Sequence, residues 1–163
     1  MVRIMNGEFA IRPAAELDYK DFNEIHSMVN DINARYASHI LRHVDISITR
    51  ELFISQVNDP NTLLLVVEYQ GHIIGILSAE MRSSADLPAL VPRLYTHISH
   101  LGVKEQYRGL GIGRALIEYC KIWAKKAGAE QLEVLVMHYN EKAISFYESC
   151  GLLCIKHIHE VKL

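Results

Sequence analysis

The sequence contains no apolar run long enough to cross a bilayer. Its longest, TLLLVVEY at 62–69, is interrupted by Glu68 and falls far short of the roughly 20 residues a spanning helix requires. Cysteine is scarce: Cys120, Cys150 and Cys154 are odd in number and show no C-x-x-C spacing, which argues against a disulfide framework. A reducing interior is the simpler expectation, with all three as small core residues. Neither charge dominates, because 17 Lys and Arg face 19 Asp and Glu for a net charge of −2, and no basic run stands out. A nucleic-acid duplex or an anionic membrane is therefore not the expected main partner. The opening MVRIMNGEFA has neither a long apolar stretch nor a cleavage-site pattern, so the expected address is the cytoplasm.

What is present is the balance of a folded domain: 163 residues, 50% hydrophobic and 22% charged, with no linker or repeat, read as one domain over 1–163. FAIRP (9–13) reads as a strand ended by proline. Phe22, Ile25, Val29, Ile32 and Tyr36 recur at three- and four-residue spacing, one face of an amphipathic helix. A second helix is expected over 48–57, stopped by NDPN. TLLLVVEY and HIIGILSAEM flank Gln70-Gly71 as a hairpin. The stretch 82–94, with two prolines, reads as a long loop, and 95–103 as a strand. Ile112, Leu116, Tyr119, Cys120, Trp123 and Ala127 share one helical face that Gly128 ends. A strand over 130–139 follows, then a helix capped by Asn140 and ended by Gly151, and a closing strand over 152–163. The sum is an α+β domain around a central mixed, mostly antiparallel sheet flanked by helices.

The stretch EQYRGLGIGRAL (105–116) places Gly109, Gly111 and Gly113 at the mouth of a helix, with Arg108 and Arg114 around them. Glycine permits positive φ and close backbone approach, and the first-turn amides of a helix with its dipole favour an anion. A tight strand-to-helix connection would account for one or two glycines. Three in alternation, bracketed by arginines, favour a phosphate site. The motif G-x-x-x-x-G-K-[ST] is absent, and the third glycine comes one place too early for G-x-G-x-x-G. R-x-x-G-x-G remains, directly after a strand ending in Val103.

LGVKEQYRGLGIGRAL followed by NEKAISFYESCGL resembles the GNAT superfamily of N-acetyltransferases, over about Tyr95 to Leu152. The resemblance implies a single GNAT-like domain that carries acetyl from acetyl-coenzyme A, as co-substrate, to an amine of a small molecule or protein by direct attack in a ternary complex. It implies that Arg108, Gly109, Leu110, Gly111, Ile112, Gly113 and Arg114 form the pyrophosphate cradle. Leu101, Gly102 and Val103 would hold the pantetheine arm through their main chains, with the Leu101 amide as oxyanion donor. Tyr147 falls on the tyrosine that protonates the sulfur, and Asn140 both caps its helix and contacts the coenzyme.

For the base, His97 lies six residues before Val103, and Glu80, at the end of the neighbouring strand, is its rival. Strand alternation sets His97, Ser99 and Leu101 on one face and His100 on the other, unless a bulge intervenes. His157-x-His159 lacks a third ligand, so no metal is expected. A non-catalytic acyl-coenzyme A-binding domain would keep the turn and lose these side chains, and a dinucleotide oxidoreductase is disfavoured by the glycine spacing. The acceptor pocket is expected from the N-terminal helices and the loop at 82–94. A sheet-edge homodimer is compatible with the pattern.

Overall fold

The computed structural model describes residues 2–4 and 7–161. Six strands form one sheet in the order β1-β2-β3-β4-β5-β6: Val2–Ile4, Gly7–Pro13, Thr62–Tyr69, His72–Ser83, Leu94–Val103 and Gln131–Val134. The first five pair antiparallel, and β5 pairs parallel with β6, so the sheet is mixed and mostly antiparallel as the sequence suggests. The β3–β4 hairpin closes through Gln70 and Gly71 at φ 50° and 77°, the two positive values that a tight two-residue turn demands.

Helices α1 (Tyr19–Tyr36) and α2 (Arg50–Asn58) cover one face of the sheet, and α3 (Ile112–Lys126) and α4 (Glu141–Ser149) the other. Strand alternation divides the core accordingly. Leu63, Leu65 and Val67 pack with Ile112, Leu116, Ile117 and Cys120 on the α3 side. Leu64 and Val66 pack with Phe22, Ile25 and Phe53 on the α1/α2 side. Thr49 caps α2 by accepting a bond from the Leu52 amide. Contact between α1 and β5 is so close that a Cβ on Gly102 would lie 2.7 Å from Val29 Cγ2 and 2.8 Å from Ile25 Cγ2.

Four sequence expectations need correction. On α1 only the first part of the apolar stripe is buried, since Tyr36 is exposed and stacks on Tyr139 instead. The loop after β4 is shorter than expected, because β4 continues to Ser83 and β5 begins at Leu94. The strand expected over 130–139 stops at Val134, where its pairing with β5, its one neighbour among the described residues, ends. Residues 152–161 form no strand: Leu153, Ile155, Ile158 and Val161 are exposed, and residues 162–163 lie outside the described residues. Among the described residues no helix is long and apolar enough to cross a membrane, and no group of three metal-ligating side chains converges.

Candidate active site

Between β5 and α3 the chain makes a single 3-10 turn at Glu105–Tyr107 and then the glycine stretch. Gly109 and Gly111 adopt φ 76° and 82°, and nothing lies within 4 Å of where their Cβ atoms would be. The turn is open on its outer side. Gly111 is the N-cap of α3, with no side chain bonded to the free amides of the first turn and no acidic residue there. Those amides are the donors that an anion would take. Gly113 answers a different need, because its Cβ would come within 3.0 Å of the Phe146 ring on α4.

The two arginines are partly committed to the fold. Arg108 Nε donates to the Val103 carbonyl at 3.0 Å, with the rest of its guanidinium exposed beside the turn. Arg114 donates to the carbonyl and hydroxyl of Ser149, at 2.9 and 3.0 Å, and so ties α3 to the end of α4.

The β5–β6 pairing covers only 95–98 against 131–134, and the strands then part. Beyond that point the Lys104 amide bonds to Ile74 O on β4. By antiparallel alternation Gly102 and His100 also turn their main-chain groups to β4, while Leu101 and Val103 turn theirs into the gap. The Val103 carbonyl is taken by Arg108, which leaves the Leu101 N–H and C=O and the Val103 N–H on the side of β5 turned away from β4.

A bulge changes the faces of β5. Ser78 pairs with His100 and Ala79 with Ile98, so Ser99 is the extra residue. The grouping of His97, Ser99 and Leu101 on one face is expected only without a bulge, and this bulge breaks it. His97 and His100 share the α1/α2 face with Glu80 and Ser78, whereas Leu101 points with Ile98 into the α3-side core. On that shared face Glu80 lies opposite His97 in the register, and its carboxylate accepts hydrogen bonds from Arg82. The pKa of His97 is lowered by burial and by Arg82, against the opposing pull of Glu80 and Glu133, so the imidazole is neutral near pH 7. His26, on α1, stacks on His100 with ring centroids 3.7 Å apart, and burial holds the two at about 3 and about 4. Sequence reading missed His26. Its only signal was the four-residue spacing from Phe22, on which its ring also stacks.

On the opposite side, Tyr147 packs beside Phe146 on the α3-side core. No hydrogen bond engages its hydroxyl among the described residues, and burial pushes its pKa up to about 12, so it stays protonated. Asn140 Oδ1 accepts from the Ala143 amide at 3.1 Å, as a cap should, and its side-chain amide nitrogen has no partner among the described residues. The turn, the open backbone at Leu101 and the free hydroxyl of Tyr147 lie with α3 and α4. His97 and Glu80 lie across the sheet.

A strand–glycine turn–helix unit beside a splayed pair of parallel strands defines a fold that known proteins share. The model of the acetyltransferase (GNAT) family matches residues 25–152. The chain belongs to that family. A protein named N-alpha-acetyltransferase from Sulfurisphaera tokodaii is 28% identical over 64% of this chain, and the match spans 64% of that relative, less than two thirds of its length. The crystal structure of a mutant of the BH1408 protein from Bacillus halodurans superposes with a TM-score of 0.89 at 28% identity, covering 94% of this chain and 99% of that one. An aminoglycoside acetyltransferase from an uncultured soil sample, solved with sisomicin, shares the fold at 19% identity, with a TM-score of 0.68 and 95% of each chain covered.

Proposed function

We propose that the chain, as one domain over 1–163, transfers acetyl from acetyl-coenzyme A to a primary amine of a small molecule or protein by direct attack in a ternary complex. The observation that carries this reading is the open turn at 109–114: two positive-φ glycines lead into a helix N-terminus whose first-turn amides no group takes among the described residues. It sits at the mouth of the gap towards which the Leu101 N–H and C=O and the Val103 N–H turn, the Val103 carbonyl being held by Arg108. The first-turn amides and Arg108 would hold the pyrophosphate, and the peptide groups of Leu101, Gly102 and Val103 would align the pantetheine arm, with Asn140 beside it.

Acetyl-coenzyme A supplies an activated thioester. The residues do the rest. His97 takes a proton from the acceptor's ammonium, with Glu80 as its rival, so that the nitrogen lone pair can attack the carbonyl carbon. The Leu101 N–H donates to the oxygen as charge develops on it. Tyr147 gives its proton to the sulfur as the carbon–sulfur bond breaks, and the second proton that the nitrogen sheds on becoming an amide returns through solvent to Tyr147. Coenzyme A and the acetylated amine result. All three cysteines are free thiols, but only Cys120 and Cys150 are buried; Cys154 is exposed, against the expectation of a core residue, and burial pushes Cys120 up to about 12, which leaves that thiol inert.

Titration calorimetry with acetyl-coenzyme A and with NAD, followed by thiol release against a panel of amines, tests this reading. Coenzyme binding with amine-dependent thiol release is the expected result. Binding without release under any amine would instead identify a non-catalytic acyl-coenzyme A-binding domain.

A further inference from the structure

A cavity of about 230 Å³ lies between α1, α2, the segment joining them and strands β3–β5. It shares a wall with Glu80 and opens on the face that carries His97, and the loop at 84–93 contributes nothing to it. It is smaller than the roughly 300–1,000 Å³ of pockets that hold drug-sized ligands.

Its wall mixes apolar surface from Ile48, Leu52 and Leu64 with polar side chains that are almost all uncharged. No lysine or arginine lines it, and its one carboxylate, Glu80, is held by Arg82. Two groups in the wall have unmet hydrogen-bonding capacity. The Ser78 hydroxyl, on a residue 5% exposed, has no partner among the described residues. His100 makes no hydrogen bond among the described residues, its ring held by stacking on His26, while His26 Nδ1 is engaged by Ser47 Oγ at 2.6 Å. A buried hydroxyl without a partner is uncommon in folded proteins and disfavours the empty state.

We infer that Ser78 and His100 form a neutral recognition patch for the acceptor, and that the acceptor is a compact amine with a hydroxyl near its nitrogen rather than a polycation. This rests on the acetyltransferase reading. A hydroxyl both donates and accepts, as do the serine hydroxyl and a neutral imidazole, so one such group can satisfy both residues. The groups that face His100 are His26 from α1 and Ser78 and Glu80 from β4. Burial keeps both histidines neutral at working pH. A polycation entering this space would lose the hydration of several ammonium groups against a single carboxylate that is already paired.

The test is a chemical-shift titration of the isotope-labelled full chain with propanolamine, with butylamine of the same length, and with spermidine. Propanolamine is expected to shift the amide signals of Ser78 and His100 and to bind about tenfold tighter than butylamine. Ser78→Ala should abolish that preference while butylamine stays within about twofold, and His100→Phe, which keeps a stacked ring, should reduce it. Equal affinity for the two amines, tighter binding of spermidine, or no shifts at these residues would overturn the inference. So would a preference that survives Ser78→Ala, since water alone would then satisfy the hydroxyl. These readouts need no acetyl transfer, so they are independent of thiol release, on which the acetyltransferase reading stands or falls.

Discussion

Glu80 and His97 are direct partners in the β4–β5 register and project from the same face of the sheet. Arg82 occupies the Glu80 carboxylate and lowers the pKa of His97. The pair is thus arranged with the imidazole neutral and the carboxylate hydrogen-bonded, which favours His97 as the proton acceptor.

If His97 is the base, kcat/KM falls at acid pH with a midpoint below the ordinary histidine value of about 6.5, because the shift is downward. His97→Ala should remove that limb, with a larger loss for an acceptor of lysine-like basicity than for a less basic one. Profiles recorded with acceptors of different pKa separate the acceptor's own ionisation. A limb that survives His97→Ala and disappears in Glu80→Gln would move the role to Glu80.

Tyr147→Phe keeps the ring that packs beside Phe146 and removes only the unpartnered hydroxyl. A thiol of pKa about 8.5 leaves tolerably without help, so kcat should drop by about ten- to a thousandfold and not vanish. Coenzyme affinity should stay close to that of the parent. Steady-state kinetics in an assay limited by chemistry, paired with calorimetry, checks both halves.

Gly111→Asp tests the turn. Space is not the obstacle there, since no atom lies within 4 Å of the new Cβ; the obstacles are φ 82° and the negative charge beside the helix N-terminus. Acetyl-coenzyme A binding should weaken by tenfold or more, roughly 1.4 kcal/mol. A folded variant that binds within about threefold of the parent would remove the turn from the site.

Gly102→Ala should destabilise the fold by about 1–3 kcal/mol, because the added methyl meets Val29 and Ile25 on α1 at under 3 Å. Urea denaturation measures this. A change below about 0.5 kcal/mol would mean that α1 can move away from β5 without cost.

His26 and His100 also predict acid sensitivity. Their folded pKa values lie below the unfolded value of about 6.5, so the unfolded chain binds protons first as pH falls. The stabilisation they confer is complete above about pH 6.5 and is lost towards pH 4, at up to about 1.4 kcal/mol per pH unit for each ring. Denaturation at pH 7 and pH 5 should show the fall, and a His26→Gln, His100→Gln variant should flatten it. An equal slope in that variant would assign the acid loss to other groups.

What could be read from the sequence was whatever a few adjacent residues decide. The Gln70-Gly71 turn, the Asn140 cap, the α3 stripe ended by Gly128 and the open turn at Gly109 and Gly111 each follow from local dihedrals, local hydrogen bonds or helical spacing. They were legible because every partner lies within one turn or one hairpin, and with them came the family. The tertiary structure decided what depends on a neighbour distant in sequence. The single extra residue at Ser99 exists only relative to Ser78 and Ala79 on β4, yet it turns His100 to the same face as His97 and Leu101 to the other. Strand β6 ends where β5 leaves it, and the apolar residues at 152–161 pair with no strand among the described residues. The cavity of Ser78, His100 and His26 arises only when α1 closes on the sheet, a contact that Gly102 permits by having no side chain.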